Sequence, residues 1–368
     1  MRWEGVVGHQ RVAATLRRDA EAGALAHAIL LSGPEGVGKT TLALALAADV
    51  LGGDAWPGGL GAHPDFWLED SPMERIPLDR VKPGGGTPEG GPSLQDFMLL
   101  RPYAGGARVA VLGRADRLME QAANCVLKTL EEPPPRTHIV LCAAHPERMP
   151  ATILSRCRQL ALAPVAAGEL SGWLRDAHGV EPARAATAAA LSGGRPGRAL
   201  SLATEPGVLR QDLEALDVLL RAPAAAPTLR GAALAAAAAV APASNAEGRE
   251  RAIGQVAAWT GFVRDAALIA SGAGELAVWE PYAEAARAWA DALGPRRLTD
   301  LLGRLVDSTD RLSQYASPRL TYEVLFLDIL TGDPAPPRVD PPAHADLGPA
   351  GTTTRPTATT SRRPARRR

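Results

Sequence analysis

The sequence predicts a parallel, three-layer α/β domain with a phosphate-binding loop, followed by a small helical region and a larger all-helical one. Three observations carry that prediction. Short apolar runs alternate with helical stretches up to about residue 165. "SGPEGVGKTT" at 32–41 joins one such run to a helix. Beyond residue 166 the pattern is helical throughout, with Ala- and Leu-rich faces suited to helix packing.

The elements follow in order. Residues 9–22 carry an apolar stripe through Val12, Leu16 and Ala20 and read as a helix. A buried strand spans 28–32, followed by a Gly-rich turn and a helix beginning near Lys39. Residues 52–63 form a Gly-rich loop, "DFWLED" is a candidate strand, and the low-complexity "KPGGGTPEGGPS" at 82–93 is expected to be a mobile insertion. A strand at 109–112 leads into a helix over about 119–131, stopped by Pro133, Pro134 and Pro135. "HIVLCA" (138–143) and "QLALA" read as further strands, with "ATILSRCR" a helical turn between them. These readings divide the chain into an α/β domain over 1–165, a helical lid over 166–207, a helical collar that oligomerises over 208–333, and a disordered Arg-rich tail over 334–368.

Composition narrows the class. Charged residues make up 22% of the 368 and hydrophobic residues 46%, as in ordinary water-soluble domains. The net charge is zero, but the last 18 residues hold six arginines and no acid, so the remainder carries −6. That acidic body argues against strong independent binding to nucleic acid. The tail is either a solvated segment or a contact for nucleic acid or acidic partners. Cys125, Cys142 and Cys157 stand apart from one another beside apolar residues, which reads as buried thiols in a reducing compartment. No apolar leader and no membrane-length stretch occurs, so a cytoplasmic location is expected. Only three lysines stand against 37 arginines, and one of them, Lys39, falls where a compact ammonium must reach a phosphate.

"GPEGVGKT", Gly33 to Thr40, fits the pattern G-x-x-x-x-G-K-[ST] in the strand-then-helix context that the chemistry needs. The N–H groups of Gly36, Val37, Gly38 and Lys39 would converge on a phosphate, and Lys39 would add charge. Thr40 would offer a hydroxyl to Mg²⁺, and the following helix would add its positive end. Gly33, Pro34 and Thr41 complete the candidate nucleotide-binding set. The strand at 109–112, however, ends in Gly113 and Arg114, where such proteins hold the acids that anchor the metal and orient water. Asp116 lies three residues past Gly113 and is either a substitute acid or a surface one.

In this order and spacing, "VVGHQ", "HAILLSGPEGVGKTTLA", "HPD", "NCVLKTLEEPPPRTHIVLCA" and "ILSRCR" resemble the bacterial AAA+ clamp-loader family. The resemblance covers residues 4 to about 205 densely and the remainder only in helical character. It implies an AAA+ domain, a small helical lid and a helical collar, and a place in the DNA polymerase III clamp loader. Val7 and Gly8 would border the adenine of bound ATP or ADP, and Gly113–Arg114 would align with the acidic Walker B pair. Ala144 and His145 fall at a position usually filled by a polar residue near the γ-phosphate. Arg156, in "SRC", would be an arginine finger reaching the nucleotide of a neighbouring subunit, the alternative being a structural arginine at a helix end. Gly197, flanked by Arg195 and Arg198, falls near a second sensing arginine of the motor subunits. The cysteine cluster that holds zinc in this family is absent from "LGGDAWPGGLGAHPD", so no zinc is expected there and His63 reads as part of a structural turn.

The missing acids favour a non-hydrolysing subunit over an ATP-hydrolysing tau/gamma-type motor. The implied partners are tau/gamma motors and the delta subunit, with the sliding clamp and primed DNA reached through the assembly and no membrane. Two readings from other classes stay open: a stand-alone P-loop nucleotide kinase, and a scaffold whose loop is a relic.

Overall fold

The computed structural model describes residues 3–53, 56–71, 75–86, 91–104, 106–221, 229–279, 282–314, 316–330 and 332–341. The first part alternates strands and helices: α1 (Gln10–Glu21), β1 (Ala28–Ser32), α2 (Lys39–Leu51), β2 (Phe66–Glu69), α3 (Leu94–Leu99), β3 (Arg108–Leu112), α4 (Glu120–Glu131), β4 (Thr137–Ala143), α5 (Ala151–Leu154) and β5 (Arg158–Ala161). All neighbouring strands are parallel, in the order β2-β3-β4-β1-β5. The inner strands are apolar at nearly every position because both faces are covered. Ile29, Leu31, Val109, Val111, Val140 and Cys142 face the cluster that includes Leu16 of α1 and Leu42 of α2. Leu30, Ala110, Leu112, Ile139 and Leu141 face the opposite cluster, with Phe97 of α3 and Val126 of α4. Parallel order collects the C-terminal ends of all five strands along one edge, where α/β proteins place their ligand sites.

The strands and helices expected from the sequence are present within one or two residues. Helix α3 is an addition, capped by Ser93, whose Oγ accepts the Asp96 N–H at 3.2 Å. The stretch expected as a mobile insertion contributes anchored chain on both sides. Gly84 N–H donates to Asp96 Oδ2 at 2.9 Å and Gly86 N–H to Asp79 O at 2.6 Å, whereas residues 87–90 lie outside the described residues. The His-Pro-Asp turn is structural: His63 Nδ1 accepts the Asp65 N–H, and buried Asp65 accepts from Tyr103 and Ala104 N–H and pairs with Arg108 at 3.3 Å.

The second part is helical: α6 (Ala167–His178), α7 (Pro182–Leu191), α8 (Pro196–Thr204), α9 (Pro206–Arg221), α10 (Leu229–Val240), α11 (Ala246–Ala270), α12 (Ala283–Ser313) and α13 (Pro318–Leu330). One apolar cluster runs from Val7 and Val165 through α6–α9 to Leu330, so the lid and collar helices share a core. Its centre is aromatic: Trp259 lies 4.8 Å from Tyr322 and 5.5 Å from Phe326, and Phe262 lies 5.2 Å from Trp289, all ring centroid distances. α12 breaks at Gly294, where φ is 68°, and Pro295 restarts it, because Pro suits a helix start and not its interior. Residues 334–341, expected in the disordered tail, lie against the helices: Pro336 is buried, and Val339 N–H donates to Leu220 O at 3.0 Å. Residues 342–368 of that tail lie outside the described residues. No helix among the described residues is long and apolar enough to cross a membrane.

Candidate nucleotide site and an exposed arginine

The cradle is built by the turn from β1 into α2. Gly33, Gly36 and Gly38 take φ of 147°, 77° and 107°, values that side chains resist, while the Val37 N–H, expected among the cradle donors, donates within the loop to Pro34 O at 3.2 Å. At Gly33 the constraint is also steric: an added Cβ would overlap Leu162 O, with its carbonyl carbon 3.3 Å away. Val37 is fully buried and pins the loop from below, while Pro34 and Gly36 are exposed. Lys39 opens α2 with its side chain buried along the loop, where Nζ donates to Gly33 O at 2.7 Å and Pro34 O at 2.8 Å. Desolvation there lowers its pKa. An ammonium has three donors, so one remains for a phosphate oxygen. Thr40 and Thr41 follow, both half-buried. The donor set and the room left by the glycines fit a nucleoside polyphosphate.

The N-terminal segment and the lid close on this loop. His9 Nε2 donates to Val37 O at 2.9 Å. Gly8, with φ 80°, passes so close to Val165 that an added Cβ would overlap its methyls, with Val165 Cβ 2.9 Å away. Val7 is buried in the core shared with α6–α8. From α8, the Gly197 N–H donates to Gly36 O at 3.1 Å. Arg195 lies beside the same loop, its Cβ 3.7 Å from the position a Gly36 Cβ would take, and its buried Nη2 has no hydrogen-bond partner among the described residues. Arg198 is held away from the loop by a buried ion pair with Asp212. Val7 and Gly8 lie next to His9, which ties their segment to the loop, and His9 is a support that the sequence reading missed.

The end of β3 differs from a metal-binding strand end in three ways. Gly113 offers only a backbone N–H, which donates to Glu69 O at 2.8 Å. Arg114 and Arg117 turn toward Glu35 at the loop tip, with Nη2 to Oε1 distances of 4.0 and 3.5 Å. Asp116 is committed elsewhere: its Oδ2 accepts the N–H groups of Ala144 and His145 at 3.1 and 2.9 Å, tying the turn after β3 to the end of β4. Asp116 Oδ2 therefore serves the turn.

Arg156 follows α5, and its side chain is exposed. Nη2 pairs with Glu131 Oε1 at 2.8 Å and Nη1 donates to Thr152 O at 3.0 Å, so neither partner belongs to the cradle of its own chain. Burial pushes the neighbouring Cys157 thiol up to about 11, which keeps it a packing group and not a nucleophile. Among the described residues no group of three His, Cys, Asp or Glu side chains is arranged to hold a metal.

The fold and cradle define a P-loop α/β domain joined to a helical region. Residues 20–66 match the AAA domain family model, and residues 91–166 match the family model described as DNA polymerase III, delta subunit. Within that class the chain resembles subunits of bacterial DNA polymerase III. It is 37% identical over 187 residues to the delta′ subunit of Pseudomonas aeruginosa, covering 46% of this chain and 54% of that one. The delta′ subunit of Escherichia coli is 33% identical, covering 39% of this chain and 40% of that one. The tau subunit of Escherichia coli is 34% identical, covering 43% of this chain and 25% of that one. The chain thus spans about half the length, or less, of these relatives. A solved gamma subunit-related protein of DNA polymerase III from Thermotoga maritima aligns over 87% of this chain and 97% of its own, with 18% identity and a TM-score of 0.39.

Proposed function

We propose that this chain is a delta′-type subunit of the DNA polymerase III clamp loader, one that binds ATP or ADP without hydrolysing it. In this role it supports loading of the sliding clamp onto primed DNA and lends Arg156 to the nucleotide site of an adjacent tau/gamma motor. The observation that carries the non-hydrolysing part is the pair Gly113–Arg114 at the end of β3. An arginine turned toward Glu35 cannot accept a proton from water or orient it for attack on a phosphoryl group. Arg156 supports the second part, since its guanidinium is exposed and its own cradle does not use it. A fixed guanidinium stabilises charge on a transferring phosphoryl group, which is the contribution a motor site lacks on its own.

The helical core through Leu330 supports a collar that joins other subunits, and the delta and tau/gamma subunits are the proposed partners. The motor reading has support in the similarity to tau, which stands at an identity comparable to that of the delta′ subunits. ATPase measurement separates the two. The purified chain is expected to bind ATP and to show no turnover above background, and robust turnover would establish the motor reading instead. Arg156→Ala is expected to leave the melting temperature unchanged and to lower turnover of the reconstituted loader by about 10³-fold at the affected site. Unchanged loader turnover would remove Arg156 from this role.

A further inference from the structure

We propose that Asp70 supplies to the cradle, from the end of β2, the carboxylate that position 113 lacks, so that the site holds its nucleotide together with a divalent cation. The inference rests on the nucleotide reading above. β2 and β3 pair in parallel with Glu69 opposite Leu112, which places Asp70 opposite Gly113. The Asp70 side chain lies across Gly113: a Cβ built on that glycine would overlap the carboxylate, 2.5 Å from Asp70 Cγ and 3.0 Å from its Cβ. The absent side chain of residue 113 and the carboxylate of residue 70 therefore occupy the same space. Glycine at 113 is what the arrangement requires, because any larger residue would displace the acid.

The surroundings suit a cation. Among the described residues the Asp70 carboxylate makes no hydrogen bond or ion pair, although Arg114 and Arg117 act on it at longer range and Glu69 and Glu35 oppose them. Asp70 is exposed at the strand end, so a hydrated cation can reach it. Thr40, in the first turn of α2, and Asp70, just past the end of β2, both stand on the edge of the sheet where the parallel strands end. Mg²⁺ bound with a nucleotide uses one or two carboxylates, substrate phosphates and water, and Asp70 with Thr40 matches the protein share of that set. The acid that orients water is still missing, so the site would bind the metal-nucleotide pair and retain it.

The test uses the full chain and ATP, titrated in millimolar Mg²⁺ and in EDTA. Wild type is expected to bind at least about tenfold tighter with Mg²⁺. Asp70→Asn is expected to bring the ratio of the two affinities to within about twofold of one. The exchange Gly113→Asp with Asp70→Gly is expected to restore the ratio, because it returns the acid to β3. Mn²⁺–ATP followed by electron paramagnetic resonance gives a second readout, with a protein-bound spectrum in wild type that Asp70→Asn loses. A ratio that survives in Asp70→Asn, or a wild-type ratio near one with ATP still bound, overturns the role of Asp70 and leaves the nucleotide reading standing. Absence of ATP binding under both conditions overturns both. Should Asp70→Asn melt early, Asp70→Ser is the replacement variant.

Discussion

The N–H of Gly197, in the first turn of α8, donates to the carbonyl of Gly36 at 3.1 Å, so α8 holds the phosphate loop by a backbone hydrogen bond. A Cβ at 197 would sit 3.4 Å from Gly36 O, an ordinary contact, so it is the N–H of residue 197 and not its lack of a side chain that the contact uses.

Gly197→Pro removes that donor and puts the ring carbon where the hydrogen was, facing Gly36 O. Proline is tolerated in a first helical turn, so α8 itself survives. The expected result is a loss of about 1–3 kcal/mol, measured by denaturant titration, together with weaker ATP binding. Unchanged stability and affinity would show that the lid does not depend on the contact.

Gly8→Ala is expected to cost about 2 kcal/mol or more, since φ is 80° and the new methyl meets Val165. Adding Val165→Ala separates the two causes. Part of the loss returns if the clash dominates, and none returns if backbone strain is the whole effect. Chemical denaturation of the two single variants and the double one is the measurement.

Glu69 gives a pH signature. Burial pushes its pKa up, but hydrogen bonds from Ser71 and the ion pair with Arg80 outweigh that and hold it below its ordinary value of 4.5. A depressed folded value means stability that is fully present above pH 4.5 and lost as the pH falls through the folded value. Denaturation curves between pH 7 and pH 3 should therefore show a loss at the acid end that Glu69→Gln reduces. Equal acid sensitivity in both proteins would place the loss elsewhere.

Much of this protein was legible without coordinates. The strands β1, β3 and β4 announced themselves because a parallel sheet covered on both faces needs near-continuous apolar runs. The cradle was legible because positive φ demands glycine at fixed spacing, and the spacing is visible in "GPEGVGKT". Helix α3 escaped notice because its six residues are too few to show a period, and low-complexity sequence stands directly before it. The anchoring of Pro336 and Val339 escaped for a related reason: a Pro-rich stretch has no pattern that reveals a partner.

The sequence by itself determined the phosphate loop, the alternation of strands and helices, and the absence of acids at 113 and 114. These are local properties, set by backbone preference and the period of burial along one stretch of chain. The tertiary structure alone decided that Asp70 lies over Gly113, that Asp116 is spent on the end of β4, and that Gly197 holds Gly36. Each of those pairs is distant in the chain. They meet only because parallel register gathers the strand ends on one edge and the helical core presses α8 against it. What looks like a gap at position 113 in the sequence is, in the folded protein, the space that a neighbouring strand's carboxylate fills.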